Sequence, residues 1–234
     1  MNTTPQFDTF AHTYDDELNQ ALAASGEDKD YFARGRVRWL QHRMSQFSQR
    51  PKTLLDYGCS IGDTCVLLQQ AFHASFAVGV DPSAASIDVA QTRHRSTTSC
   101  SFATLNQYSP DSEIDLAYCN GVFHHIPVAE RASALRYVFR ALKPGGWFAF
   151  WENNPWNPGT RHVMSNCAFD EDAITINPPQ AKSLLADAGF QVVGTDFCFF
   201  FPRPLKLFRF LEPSLARLPL GAQYEVLCRK PNAL

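Results

Sequence analysis

The sequence predicts a doubly wound α/β domain with a helical cap on its N-terminal side. Three observations predict it. From Thr53 onward, short apolar runs alternate with stretches of helical period. The runs are apolar throughout, as expected of parallel strands covered by helices on both faces. Small residues follow the first run, where an open sheet of this kind turns and takes a ligand.

Residues 1–50 read as the helical cap. Leu18, Ala21 and Leu22 recur at helical spacing, as do Phe32, Val37, Leu40 and Met44. Gly26 separates the two segments and Pro51 ends the second. Residues 51–234 form the α/β domain. Its strands are expected at Thr53 to Tyr57, Phe76 to Val80, Phe102 to Leu105, Ile114 to Cys119 and Trp147 to Trp151. Helices are expected at Asp63 to Phe72, Ala84 to Arg95, Val128 to Leu142 and Pro179 to Ala188. Two late strands, Gln191 to Phe199 and Gln223 to Cys228, flank a Phe- and Pro-rich insertion at about 200–220. That insertion reads as a short helix with loops.

Composition narrows the function. The chain has 234 residues, 45% of them apolar and 19% charged, which fills a core and excludes global disorder. Its 21 Lys and Arg against 23 Asp and Glu leave no basic excess for a nucleic-acid partner. Seven cysteines without a CxxC pair encode neither a zinc knuckle nor a redox motif. The opening MNTTPQFDTF lacks the charged-then-apolar pattern of a secretory signal. The most apolar stretch, Phe197 to Phe210, is interrupted by Pro202, Arg203, Pro204, Lys206 and Arg209, so no integral membrane segment is expected. A reduced, cytoplasmic protein with a small-molecule substrate is the resulting expectation.

The ligand site is placed at Asp56-Tyr57-Gly58-Cys59-Ser60-Ile61-Gly62. A glycine turn after a strand is common by itself. Asp81, closing the second strand, adds an acid at the distance where ribose hydroxyls are met. The bland alternative makes Asp81 a helix N-cap, a role for which Ser83 is better suited. Asn106 follows the third strand.

These pieces resemble the class I S-adenosylmethionine-dependent methyltransferases. The likeness extends over the segment Phe7-Asp8-x-x-Ala11-x-x-Tyr14-Asp15, the run from Asp115-Leu116 through Asn120 to His124-His125-Ile126, Leu142-Lys143-Pro144-Gly145-Gly146, and Ala188-Gly189-Phe190. It implies a Rossmann-like seven-stranded sheet, mostly parallel with the last strand antiparallel. It also implies S-adenosylmethionine as cofactor, S-adenosylhomocysteine as product, and no metal. Asp56 and Gly58 would lie by the methionine part, with Asp56 near its ammonium. Gly62 would begin the helix under the cofactor, and Cys59, Ser60 and Pro82 would line it. Asp81 would accept from both ribose hydroxyls, and Asn106 would meet the adenine amino group. Cys119 and Asn120 would floor the sulfonium, and Tyr14 would close over the methionine carboxylate.

Methyl transfer requires an aligned nucleophile and, for a hydroxyl or acidic carbon, a base. His124 and His125 after the fourth strand, Glu152 after the fifth, and His162 beyond it are the candidates. The histidine pair shows no third donor at metal spacing. Trp151 to His162 gathers an acid, amides, Arg161 and a histidine, with prolines expected to hold it as a loop. Arg34, Arg36 and Arg38 read as a solvated helix face, from which one could still reach a substrate anion. Phe200, Phe201 and Phe208 would wall an apolar acceptor cavity, or else meet a second subunit or a membrane surface. The rivals are a catalytically inactive binding module of the same fold and a dinucleotide-dependent oxidoreductase. The second would want a stricter GxGxxG.

Overall fold

In a computed structural model, the described residues are Asp8 and 13–232. Of the N-terminal motif, Phe7 and Ala11 lie outside them. The sheet has seven strands: β1 Thr53–Tyr57, β2 Phe76–Asp81, β3 Cys100–Thr104, β4 Ile114–Asn120, β5 Leu142–Asn153, β6 Gln191–Cys198 and β7 Gln223–Arg229. Their spatial order is β3-β2-β1-β4-β5-β7-β6. β1 to β5 pair in parallel, and β7 runs antiparallel to both β5 and β6. The chain winds outward in both directions from β1 and β4, and a ligand crevice opens at such a reversal.

Period-two alternation explains why the strands are apolar throughout. Leu54, Leu116, Tyr118, Trp147 and Trp151 point to one face of the sheet. Leu55, Ala117, Cys119, Phe148 and Phe150 point to the other. Helices α2 (Lys29–Gln46), α3 (Asp63–Phe72) and α4 (Ala84–Arg93) cover the first face with Val37, Leu40, Met44, Leu68 and Ile87. Helices α5 (Val128–Ala141) and α7 (Pro178–Asp187) cover the second with Leu135, Val138 and Leu185. Each buried Leu or Phe contributes about 1.5–3 kcal/mol of apolar burial.

Helix α1 (Tyr14–Leu22) lies against α2 and against α6 (Pro158–Ser165). The expected Trp151 to His162 loop is in part this α6 helix. Pro158 is accommodated because it occupies the first turn, where its missing N–H leaves no bond unmade. Asn157 caps the helix by accepting from the Thr160 N–H at 3.0 Å. The insertion folds as a 3-10 segment, Arg203–Leu211, and the short α8, Glu212–Leu215. Leu207 and Phe210 are exposed there. Among the described residues, no helix is long and apolar enough to cross a membrane. All seven cysteines are free thiols.

Candidate functional site

The turn after β1 is built by the end of β2. The Gly58 and Cys59 N–H groups donate to the Val80 carbonyl at 2.8 and 3.0 Å. Gly58 has φ +77°, and a Cβ there would run into the Val122 side chain. Gly62, at φ +85°, caps α3; a Cβ would strike the Phe102 ring at 2.6 Å. Gly62 therefore serves helix packing and lies outside the cavity lining.

A cavity of about 810 Å³ opens above the carboxyl ends of β1, β2 and β4, within the range of small-molecule sites. Tyr14, Asp56, Gly58, Cys59, Ser60, Asp81, Pro82 and Asn120 all line it. Asp81 Oδ2 accepts from the Ser60 N–H and Oδ1 from the Ser83 N–H, both at 2.9 Å. Ser83 is the cap of α4, accepting from the Ser86 N–H at 3.0 Å and donating to Asp8 at 2.5 Å. Asp81 is therefore not spent on capping. Burial raises its carboxyl to about 6, against the two backbone donors that lower it.

Asp56 and Arg36 share the cavity wall. Asp56 Oδ2 is buried and accepts no hydrogen bond. Burial raises this carboxyl to about 7; the Asp81 charge adds to the rise and Arg36 opposes it. Arg36 is buried, contrary to the solvated face expected of it. It donates Nε to the Tyr118 hydroxyl and a terminal nitrogen to Gln223 Oε1, each at 2.9 Å. Among the described residues it forms no ion pair. The signal was helical spacing: Arg36, Leu40 and Arg43 form one buried row of α2.

Five other expected residues sit elsewhere. Asn106 is exposed in the turn after β3, and Leu105 lines the cavity in its place. Cys119 is sealed inside β4 on the α5 side, while Asn120, next along, faces the cavity with a buried, unpartnered Oδ1. Phe200, Phe201 and Phe208 do not line the cavity; Phe201 and Phe208 pack on each other as a tilted ring pair with centroids 5.8 Å apart.

The candidate bases separate as well. His162 is exposed on α6, outside the cavity lining. Glu152 is buried behind the wall: Oε1 accepts from the Phe123 N–H at 2.9 Å, and Oε2 lies 2.6 Å from His124 Nδ1. It reaches the cavity only through His124. His124 and His125 do line it, together with Asp170 from the 3-10 turn Ala168–Asp170. Asp170 Oδ1 lies 3.4 Å from His124 Nε2 and 3.3 Å from His125 Nε2. The pair thus meets a third donor that no local spacing could reveal. Burial disfavours a charged His124, yet the Glu152 and Asp170 carboxylates overcome it and raise the imidazole to about 10. Burial lowers His125 instead. Of the Asn cluster, Asn154 donates to the Pro219 and Gly221 carbonyls and is structural; Asn153 alone lines the cavity.

The strand order and the acid-lined crevice at its reversal define an α/β protein of the nucleotide-cofactor-binding class. Residues 30–195 match the family described as "Methyltransferase domain", and the chain belongs to the S-adenosylmethionine-dependent class I methyltransferases. The trans-aconitate 2-methyltransferase of Methylobacterium radiotolerans is 29% identical over 138 residues, 58% of this chain and 52% of that protein. The chain spans about half the length of such curated relatives, or less. Solved methyltransferase structures share its fold. The S-adenosylmethionine-dependent methyltransferase from Mesorhizobium loti has TM-score 0.60 at 20% identity, over 85% of this chain and all of that one. A methyltransferase from Thermotoga maritima has TM-score 0.65 at 15% identity, over 96% and 98%.

Proposed function

We propose that this protein transfers a methyl group from S-adenosylmethionine to an oxygen or carbon of a small-molecule acceptor. One observation carries the reading. Arg36 and Asp56, a buried guanidinium and a buried carboxyl group, line one cavity, and neither is ion-paired among the described residues. Burying charge without a partner is costly, so the arrangement suits a ligand that brings both complementary charges. The methionine part is such a zwitterion: Asp56 would take the ammonium and Arg36 the carboxylate, with Tyr14 beside them. Asp81 retains a free lone pair on each oxygen for the ribose hydroxyls.

When bound, the cofactor supplies the methyl group on a sulfonium centre. The chain's own residues then hold the two reactants in line. Asn120 offers its unpartnered carbonyl oxygen toward the reacting region. His124, His125 and Asp170 border the remaining space, which we assign to the acceptor. The absence of a basic excess in the chain's charge count favours a small acceptor over nucleic acid. The name of the curated relatives, trans-aconitate 2-methyltransferase, favours an acidic one.

Calorimetry with S-adenosylhomocysteine should give one site per chain, and nicotinamide dinucleotides should give none. Incubation with S-adenosylmethionine labelled in its methyl group and a metabolite extract should place the label in a small molecule. Cofactor binding with no transfer to any acceptor would favour the inactive-module rival.

A further inference from the structure

The cluster at the acceptor end of the cavity has donor atoms of a kind and spacing that the cofactor reading leaves unused. His124 and His125 follow β4, and Asp170 arrives from the 3-10 turn after α6. One ligating atom from each lies within 4.8 Å of the other two. Asp170 Oδ1 is 3.4 and 3.3 Å from the two Nε2 atoms. Donors about 2.0–2.1 Å from a tetrahedral zinc lie about 3.3–3.4 Å from one another. Both carboxylate–imidazole separations match that value.

Two further observations point the same way. Asp170 is nearly buried, its side chain only 7% exposed, and its Oδ1 meets both imidazoles at ion-pair distance. In addition, His124 is held from behind: its Nδ1 lies 2.6 Å from Glu152 Oε2, with both side chains sealed from solvent. A carboxylate on the far nitrogen of a histidine is the usual support of a metal ligand, because it fixes the tautomer and leaves Nε2 as the donor. Glu152 and Asp170 together bring two negative charges to this pocket.

The geometry points to a binding site for one divalent transition-metal ion of the zinc type, held by His124 Nε2, His125 Nε2 and Asp170 Oδ1 and supported by Glu152. Two nitrogens and one carboxylate oxygen suit zinc, cobalt or ferrous iron better than magnesium or calcium, which prefer all-oxygen sites. Three protein ligands leave a coordination position, and the site borders the cavity, so that position is available to water or an oxygen of a small molecule. Metal binding does not depend on the methyl-transfer reading.

The test uses the whole chain, stripped with a chelator and dialysed against zinc or cobalt. One equivalent should bind, and cobalt should give the visible d–d absorption of a four- or five-coordinate site. Asp170→Asn and His125→Gln should each weaken binding at least tenfold. Glu152→Gln should weaken it by about 10–100-fold, the range for a supporting carboxylate. His162→Ala, on the exposed face of α6, should bind as the parent does. Circular dichroism of each variant separates lost ligands from lost folding; if Asp170→Asn does not fold, His125→Gln and the cobalt spectrum decide. Substoichiometric binding by the parent, or undiminished binding in His125→Gln, would overturn the site. S-adenosylhomocysteine affinity, measured on the same samples, keeps failure of the metal site distinct from failure of the cofactor site.

Discussion

Asp81 Oδ2 accepts the Ser60 N–H at 2.9 Å, tying the end of β2 to the turn that follows β1. The same carboxylate takes the Ser83 N–H on its other oxygen. It thus shapes the loop while keeping one lone pair per oxygen for a ligand. Hydrogen bonds to a charged group contribute about 1.5–3 kcal/mol each. Asp81→Ala should therefore weaken S-adenosylhomocysteine binding by roughly 100-fold, as read by calorimetry. Its carboxyl sits at about 6, so affinity should be level above neutrality and fall as pH drops below that value. Unchanged affinity in the variant would remove the ribose assignment.

The Arg36–Asp56 pair makes a second prediction. Arg36→Gln should reduce affinity for S-adenosylhomocysteine by at least tenfold while leaving affinity for 5′-methylthioadenosine, which lacks the amino-acid end, within about twofold. Asp56→Asn should show the same split. An equal loss for both ligands would mean that the pair shapes the pocket rather than reading the zwitterion. With its carboxyl at about 7, Asp56 is partly protonated at neutral pH in the free protein. An ammonium beside it favours the charged form, so binding near pH 7 should release a fraction of a proton. Calorimetry in buffers of different ionisation enthalpy measures that release.

The sheet was legible because its signals are local. The bounds of β1 and α3 coincide with those read from Thr53 to Tyr57 and Asp63 to Phe72, since glycine turns and apolar runs mark both ends. The order of the cofactor motifs placed Asp56, Asp81 and Tyr14 on one cavity. What escaped was set by distance in space. Arg36 looked solvated because its partners, Tyr118 and Gln223, are far along the chain. Asp170 joins two histidines from a turn with no motif of its own. Pro158 was read as a helix breaker, although at the first turn it favours a helix. Phe200 looked like cavity wall but packs against the core on the α5 side of the sheet.

The proposed reaction makes Glu152 a positioning residue: it does not line the cavity and meets it through His124. Glu152→Gln keeps an oxygen for the Phe123 N–H but loses the charge opposite His124. The rate of methyl transfer should fall by roughly 10–100-fold while cofactor affinity and the acceptor KM change little, the mark of an interaction felt mainly in the transition state. Glu152→Asp, which restores the charge at shorter reach, should recover part of the rate. If cofactor affinity, KM and melting temperature all move together, the residue only supports the fold.

Glu225 makes the last prediction, away from the cavity. It lies in β7, fully buried, where the Trp151 indole N–H favours its charged form. Burial raises its carboxyl to about 8; the nearby Asp196 charge adds to the rise and Arg43 offsets part of it. Asp196 is itself held by Arg43 at 3.0 Å and Arg217 at 3.2 Å, so Arg43 is shared rather than dedicated to Glu225. The folded value lies above the ordinary 4.5, which sets the sign: the folded state holds this proton more tightly than the unfolded chain. Stability from Glu225 is complete below about 4.5 and is lost as pH rises through 8. One pKa unit corresponds to about 1.36 kcal/mol, so the loss is on the order of a few kcal/mol. Glu225→Gln is a neutral group of the same shape and removes that dependence. Its urea-unfolding free energy should match the parent near pH 4, exceed it progressively as pH rises from about 5 to 8, and keep a constant excess above that. Other titrating groups, Asp56 and Asp81 among them, are common to both proteins and cancel in the difference. Parallel curves across that range would show that Glu225 is not the buried acid responsible.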